Sequence, residues 1–194
     1  MATKAASAVD RLHFTGNDEA DVLLAEEPFA LLVGFALDQQ VPVPTAFAGP
    51  LKIKQRLGTV DPRRLAGLDP AELESAFREK PAVHRYPGTM ARRVQDLAQV
   101  VSDEYGGRAE RVWTDAADGR DLERRLAALP GFGDMKVRSM LAVLAKRFGV
   151  KLDGMDEVVP KHPTLGDVDS PEALAEYQAK KRAYKAEMRA KRQA

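Results

Sequence analysis

The most informative spacing in the chain lies between Asp121 and Gly149, in DLERRLAALPGFGDMKVRSMLAVLAKRFG. Gly131 and Gly133 flank a single apolar residue, Phe132. That pattern allows a tight reversal with positive backbone angles between two amphipathic helices. Phe132 can plug the gap between them. The turn then directs backbone N–H groups and a helix N-terminus at solvent, which suits a phosphate oxygen. An ordinary glycine-capped turn is the plainer alternative. Asp134, as an N-cap, serves the second helix but repels a phosphate. Lys136 either contacts phosphate or is simply solvated.

The elements that must position this turn read as helices almost throughout. Phe29, Leu32, Val33 and Leu37 recur at helical spacing, as do Val94, Leu97, Val101 and Tyr105, and Val137, Met140, Leu141, Leu144 and Phe148. Each set makes an apolar stripe facing a core. Asp61-Pro62, Asp69-Pro70 and Ser170-Pro171 each place an N-cap acceptor before a proline at the first helical position, and Asp118-Gly119 precedes another helix. Gly106-Gly107 and Gly149 end helices. Strand signals are nearly absent. The expectation is an all-α protein of eight to ten helices. Its most irregular connection is Gly149–Pro171, and its last helix is highly charged.

Composition sets the outer limits. The chain has 194 residues, 44% apolar and 30% charged, which fits a globular protein with a real core rather than a disordered one. It has no cysteine, so disulfides, thiolate zinc sites and cysteine-held iron–sulfur clusters are excluded. Its three histidines, His13, His84 and His162, are far apart, which argues against a multi-histidine metal site. No apolar run approaches the ~20 residues of a membrane span, and the N-terminus lacks a secretory pattern, so a cytoplasmic protein is expected. The net charge of +1 hides an uneven layout. Residues 1–30 carry −4, whereas residues 108–151 and 171–194 each carry +4. The basic tail from Lys180 to Arg192 either tracks phosphates or is a solvated helix.

The turn resembles a helix-hairpin-helix, an element that binds DNA backbone without reading sequence. The resemblance extends from Glu27 to Asp156, about two thirds of the chain. EPFALLVGFALDQQVPVPTAF resembles the first long core helix of the HhH-GPD superfamily of base-excision DNA repair proteins. VDPRRLAGLDPAELESAF resembles that family's run of short helices, and RYPGTMARRVQDLAQVV the helix that follows. The chain is similar to endonuclease III-like and alkyl-base DNA glycosylase-like members, in a small, cysteine-free, bacterial-type form. The implied fold is two-lobed. A six-helix bundle over residues 28–149 would carry the hairpin at about 119–148. Residues 1–27 and 150–194 would form the second lobe, without the iron–sulfur cluster of many relatives.

The resemblance also implies roles. A glycosylase flips a damaged base from duplex DNA and breaks its bond to deoxyribose, with a carboxylate assisting water. Asp153, the twenty-fifth residue counted from Leu129, matches the catalytic aspartate, and Asp156 is the runner-up. Alone, Asp153-Gly154 reads as a turn. The family's arginine after the aspartate is absent from DGMDEVVP. Strand-cutting members place a lysine where this chain has Met135. Lys136 is one residue later and turned by ~100°, so the expected enzyme is monofunctional, without abasic-site lyase activity. Gln40, with Gln39 beside it, matches the residue that fills the gap left by a flipped base, since a glutamine amide can pair with an orphaned base edge. The alternative is a polar helix end. Trp113, Tyr86 and Phe35 could stack on a base, although an isolated tryptophan is more often core. His84-Arg85-Tyr86 either lines a pocket or touches backbone. Gly131, Phe132, Gly133 and Lys136 would hold the DNA backbone. The expected partner of this monomer is double-stranded DNA with a damaged base. No metal site or cofactor is expected, though the resemblance allows a monovalent ion at the hairpin. The rival reading is a non-catalytic DNA-binding protein.

Overall fold

The computed structural model describes residues 9–193. Among them the chain forms eleven α-helices and no strand. The helices are α1 (Asp18–Glu26), α2 (Pro28–Leu37), α3 (Val43–Leu57), α4 (Pro62–Ala66), α5 (Pro70–Arg78), α6 (Pro87–Glu104), α7 (Arg111–Thr114), α8 (Gly119–Ala127), α9 (Asp134–Lys146), α10 (Met155–Val158) and α11 (Pro171–Gln193), with a 3-10 turn at Leu165–Asp167. The count exceeds the expected range because α7 and α10 are only 4 residues long, single turns that no apolar periodicity announces. Within residues 28–149, six helices have nine residues or more, and α4 and α7 are shorter.

Helix starts follow local chemistry. Asp61, Asp69 and Asp118 each accept a backbone N–H of the first helical turn, as expected of aspartate N-caps. The stripe on α6 is as the periodicity reads, with Met90, Val94, Leu97 and Val101 buried. On α2 the single stripe understates the burial, because every residue from Phe29 to Leu37 is buried. An all-round apolar helix has to be surrounded by others, and α2 is flanked by α1, α3 and α6. The fit against α3 is close enough that a Cβ on Gly34 would lie 2.5 Å from the Phe47 ring.

The buried apolar side chains form one continuous cluster from Leu12 to Leu174. Asp21 ties the N-terminal segment into it by accepting the Phe14 and Thr15 N–H groups, both at 3.0 Å. No helix among the described residues is long and apolar enough to cross a membrane.

Candidate nucleic-acid interface

The hairpin joins α8 to α9 through Leu129–Gly133. Gly131 has φ +84°, a left-handed angle that glycine adopts without strain. A Cβ there would lie 2.6 Å from Arg93 Cδ, so the absence of a side chain also lets Arg93 lie against the turn. Phe132 is 6% exposed and packs 6.2 Å from Phe35, which plugs the turn onto α2. The N-cap of α9 is Gly133, not Asp134, and no side chain caps the helix. The first N–H groups of a helix lack an intrahelical partner; here the Lys136 N–H turns to the Gly133 carbonyl at 2.9 Å, and the Asp134 and Met135 N–H groups stay uncapped. Asp134 instead occupies the first turn, where its charge favours the helix dipole.

Opposite the hairpin lies the turn that ends α2. Asp38 has φ −72° and ψ 72°, and Gln39 N–H donates to the Leu37 carbonyl at 2.7 Å. This is an inverse γ-turn. Gln40 then takes φ +56°, the only positive φ at a non-glycine residue among the described residues. Such backbone costs on the order of 1–3 kcal/mol and persists where the surroundings impose it.

Here the surroundings are polar and specific. His84 is 2% exposed. Its Nδ1 accepts the Tyr86 N–H at 3.0 Å, so Nε2 carries the proton and donates to the Gln39 carbonyl at 3.1 Å. Burial pushes the His84 imidazole below its ordinary range, which favours the neutral form, and the two hydrogen bonds set the tautomer. The Arg93 guanidinium donates to Gln39 Oε1. The Tyr86 hydroxyl donates to Gln40 Oε1 at 3.2 Å, and the Arg85 guanidinium sits 4.9 Å from the Tyr86 ring centroid.

Lys136 is half-buried beside the hairpin. It turns inward, and Nζ donates to the Ala36 carbonyl at 3.0 Å, linking α9 to the C-terminal end of α2. Burial pushes its ammonium down to about 8, against the opposing pull of Asp38. Met135, at the family's lysine position, is 75% exposed. A cleft of about 560 Å³ joins the two turns, lined by Gln39, Arg93, Lys136 and the hairpin residues from Gly131 to Met135.

The structure therefore brings Gln39, Gln40, Tyr86, Gly131, Phe132, Gly133 and Lys136 into one region. It does not bring Asp153 or Asp156 there. The chain after Gly149 runs to the start of α8, where the Gly119 N–H donates to the Asp153 carbonyl at 2.8 Å. The start of α8 is separated from the hairpin by the whole helix, about 13 Å at 1.5 Å per residue. Both aspartates are exposed, Gly154 has φ +69°, and neither carboxylate lines the hairpin cleft. The segment that runs back along α9 comes later. It is the 3-10 turn, where a Cβ on Gly166 would lie 2.6 Å from the Ala142 backbone.

Trp113 is 7% exposed within the core, and Phe35 is buried edge-on against Phe47, so neither presents a face to a base. Sequence reading misses Asp38 and takes Arg92-Arg93 for an exposed face, whereas Arg93 binds Gln39 and lines the cleft. A helix-ending Asp-Gln-Gln, with the Arg92-Arg93 pair on α6, is the only available signal. Among the described residues, no group of three His, Cys, Asp or Glu could hold a metal ion.

Comparison with known protein families fits this arrangement. The family model described as HhH-GPD superfamily base excision DNA repair protein matches residues 33–160, from within α2 past α10. The chain belongs to this superfamily, and its all-helical, hairpin-bearing fold is the one expected of it. No curated protein and no solved structure matches the chain significantly.

Proposed function

We propose that this protein is a DNA glycosylase of base-excision repair. It grips duplex DNA with the hairpin, holds the gap beside a flipped base with Gln40, and releases the damaged base by aspartate-assisted hydrolysis, leaving an abasic site. The observation that supports this reading is the bracing of the Gln39-Gln40 turn against the hairpin. His84, Tyr86 and Arg93, side chains from outside α2, hold a strained turn in place, more than an ordinary helix end requires. The uncapped N–H groups of α9 beside it suit phosphate. Strand cleavage is not part of the proposal, because Met135 has no amine and the Lys136 amine is directed to the Ala36 carbonyl.

By spacing, the assisting carboxylate is Asp153, with Asp156 next. Position adds Asp38, which immediately precedes the glutamines and lies 3.9 Å from Lys181 Nζ. One observation favours the second reading, a non-catalytic DNA-binding protein: Asp153 and Asp156 are exposed at the far end of α8.

Base release from duplexes carrying alkylated, oxidised, deaminated or mismatched bases separates these readings. Wild type would be compared with Asp153→Asn and Asp38→Asn, with and without alkali. Alkali-dependent cleavage lost in Asp153→Asn supports the enzyme with its spacing-assigned aspartate. Loss only in Asp38→Asn moves the carboxylate to the glutamine turn. No release, with salt-sensitive duplex binding intact, supports the binding protein. Cleavage without alkali contradicts the monofunctional reading.

A further inference from the structure

The two neighbouring glutamines face different spaces. Gln39 lines the hairpin cleft, whereas Gln40 lines a separate groove of about 500 Å³ between the glutamine turn and α11. Arg85 and four cations of α11, namely Lys181, Arg182, Lys185 and Arg189, also line that groove. We propose that the inner face of α11, with Arg85, is a second binding surface for the DNA phosphate backbone, so that duplex is held on both sides of Gln40. This rests on the reading of the protein as DNA-engaging and extends it to a part of the chain outside the family match, which ends at residue 160.

Helical phase carries the argument. At 3.6 residues per turn, the four cations of α11 fall within an arc of about 100°. The acidic residues Glu176 and Glu187 lie on the opposite side, each paired at 2.6 Å with a lysine four residues on, Lys180 and Lys191. The helix is thus neutralised outside and left cationic inside. Arg182, Lys185 and Arg189 make no ion pair among the described residues, and Lys181 has only the 3.9 Å contact with Asp38.

The cations are also held in place. Leu174 is buried in the common core and Tyr177 packs against it, so the first turns of α11 are anchored and the stripe is aimed at the glutamine turn. From Lys181 to Arg189 the stripe spans about 12 Å. That length meets several phosphates, because each strand presents one per ~3.4 Å of duplex axis. A polar, cationic groove that shares a wall with Gln40 fits a nucleic-acid backbone. An anionic membrane is the less suited occupant, because insertion calls for a whole apolar helix face and the exposed large apolar side chains of α11 are only Tyr184 and Met188.

The test is the salt dependence of binding to undamaged duplex. Three proteins would be compared: wild type, the inner-face variant Arg182→Gln/Lys185→Gln/Arg189→Gln, and the outer-face variant Lys180→Gln/Lys191→Gln. Each released counterion contributes ~0.9 to the slope of log K against log salt. The inner-face variant is expected to lose about 2–3 from the slope, and the outer-face variant little, with unchanged melting temperatures in both. An unchanged slope in the inner-face variant, beside a steep wild-type slope, overturns this proposal and leaves the DNA reading standing. No salt-sensitive binding by wild type overturns both. Binding to phosphatidylserine vesicles that the inner-face variant loses, with its DNA slope intact, reassigns the groove to membranes and overturns the proposal.

Discussion

The glutamine turn and the Asp153 loop both follow the end of a core helix and both contain a left-handed residue, yet they are built differently. The Asp153 loop places its left-handed angle on Gly154, where it costs little, and it meets α8 through the Gly119–Asp153 backbone bond and the exposed Arg120–Glu157 pair. The glutamine turn places that angle on Gln40 and holds it with His84, Arg93 and Tyr86, side chains from outside α2. Locally built turns follow from their own residues. A strained turn braced by distant side chains needs those partners to persist, and such turns cluster where a site must be preorganised. The contrast marks the glutamine–hairpin side as the more preorganised of the two, the side where we propose that DNA engages. The aspartate loop keeps the role that spacing suggests, with its carboxylates exposed beside the start of α8.

The largest effect is expected in the hairpin. Phe132→Ala removes the plug against Phe35 and should cost roughly 3–5 kcal/mol in urea unfolding. Gly131→Ala meets both a positive φ and Arg93, and should cost about 1–3 kcal/mol while lowering duplex affinity. Gly133→Ala, with open space around it, should cost under ~1 kcal/mol. Equal losses at the two glycines would break the claim that Arg93 packs on the turn.

His84 sharpens the comparison through pH. Its folded-state pKa is depressed below the ordinary 6.5 because it is buried. As pH falls, the unfolded chain takes up this proton first. The histidine's contribution is therefore present above pH 6.5 and lost as pH falls through the folded value. Melting temperatures between pH 8 and pH 5 should fall less steeply in His84→Gln than in wild type, and matching slopes would remove His84 as the brace.

Gln40→Gly separates strain from function. It should leave stability unchanged or raise it by up to ~1 kcal/mol, while binding to duplex with an abasic site weakens. Loss of stability would mean that the side chain is structural. The smallest effect is expected at Asp153→Asn, within about 0.5 kcal/mol by thermal unfolding, as for exposed positions generally. A larger loss would show that the aspartate loop is braced after all.

What was legible in the sequence was local. The aspartate caps of α4, α5 and α8 and the hairpin glycines are written in neighbouring residues, and helical periodicity announced the all-α fold. The bracing was not legible. His84 reaches Gln39 across 45 residues, Arg93 reaches Gln39 across 54, and Lys136 reaches Ala36 across 100. Periodicity gave a facing side for each helix, but not which polar tip meets which backbone. The path from Gly149 to Pro171 has no period, so the destination of Asp153 depended on packing against α8 that no local pattern encodes. Trp113 looked isolated only along the chain, since its neighbours in space come from elsewhere in the core.

The chain's lack of cysteine makes one measurement especially direct. Gln40→Cys and, separately, Glu104→Cys would each introduce a unique thiol, to be tested for disulfide trapping with a duplex carrying a thiol-tethered base opposite an abasic site. The account predicts efficient trapping at position 40, little at position 104, and loss of trapping at position 40 when Gly131→Ala is added. Equal trapping at both positions, or none at position 40 with duplex binding intact, would contradict a glutamine turn and hairpin that act on DNA as one unit.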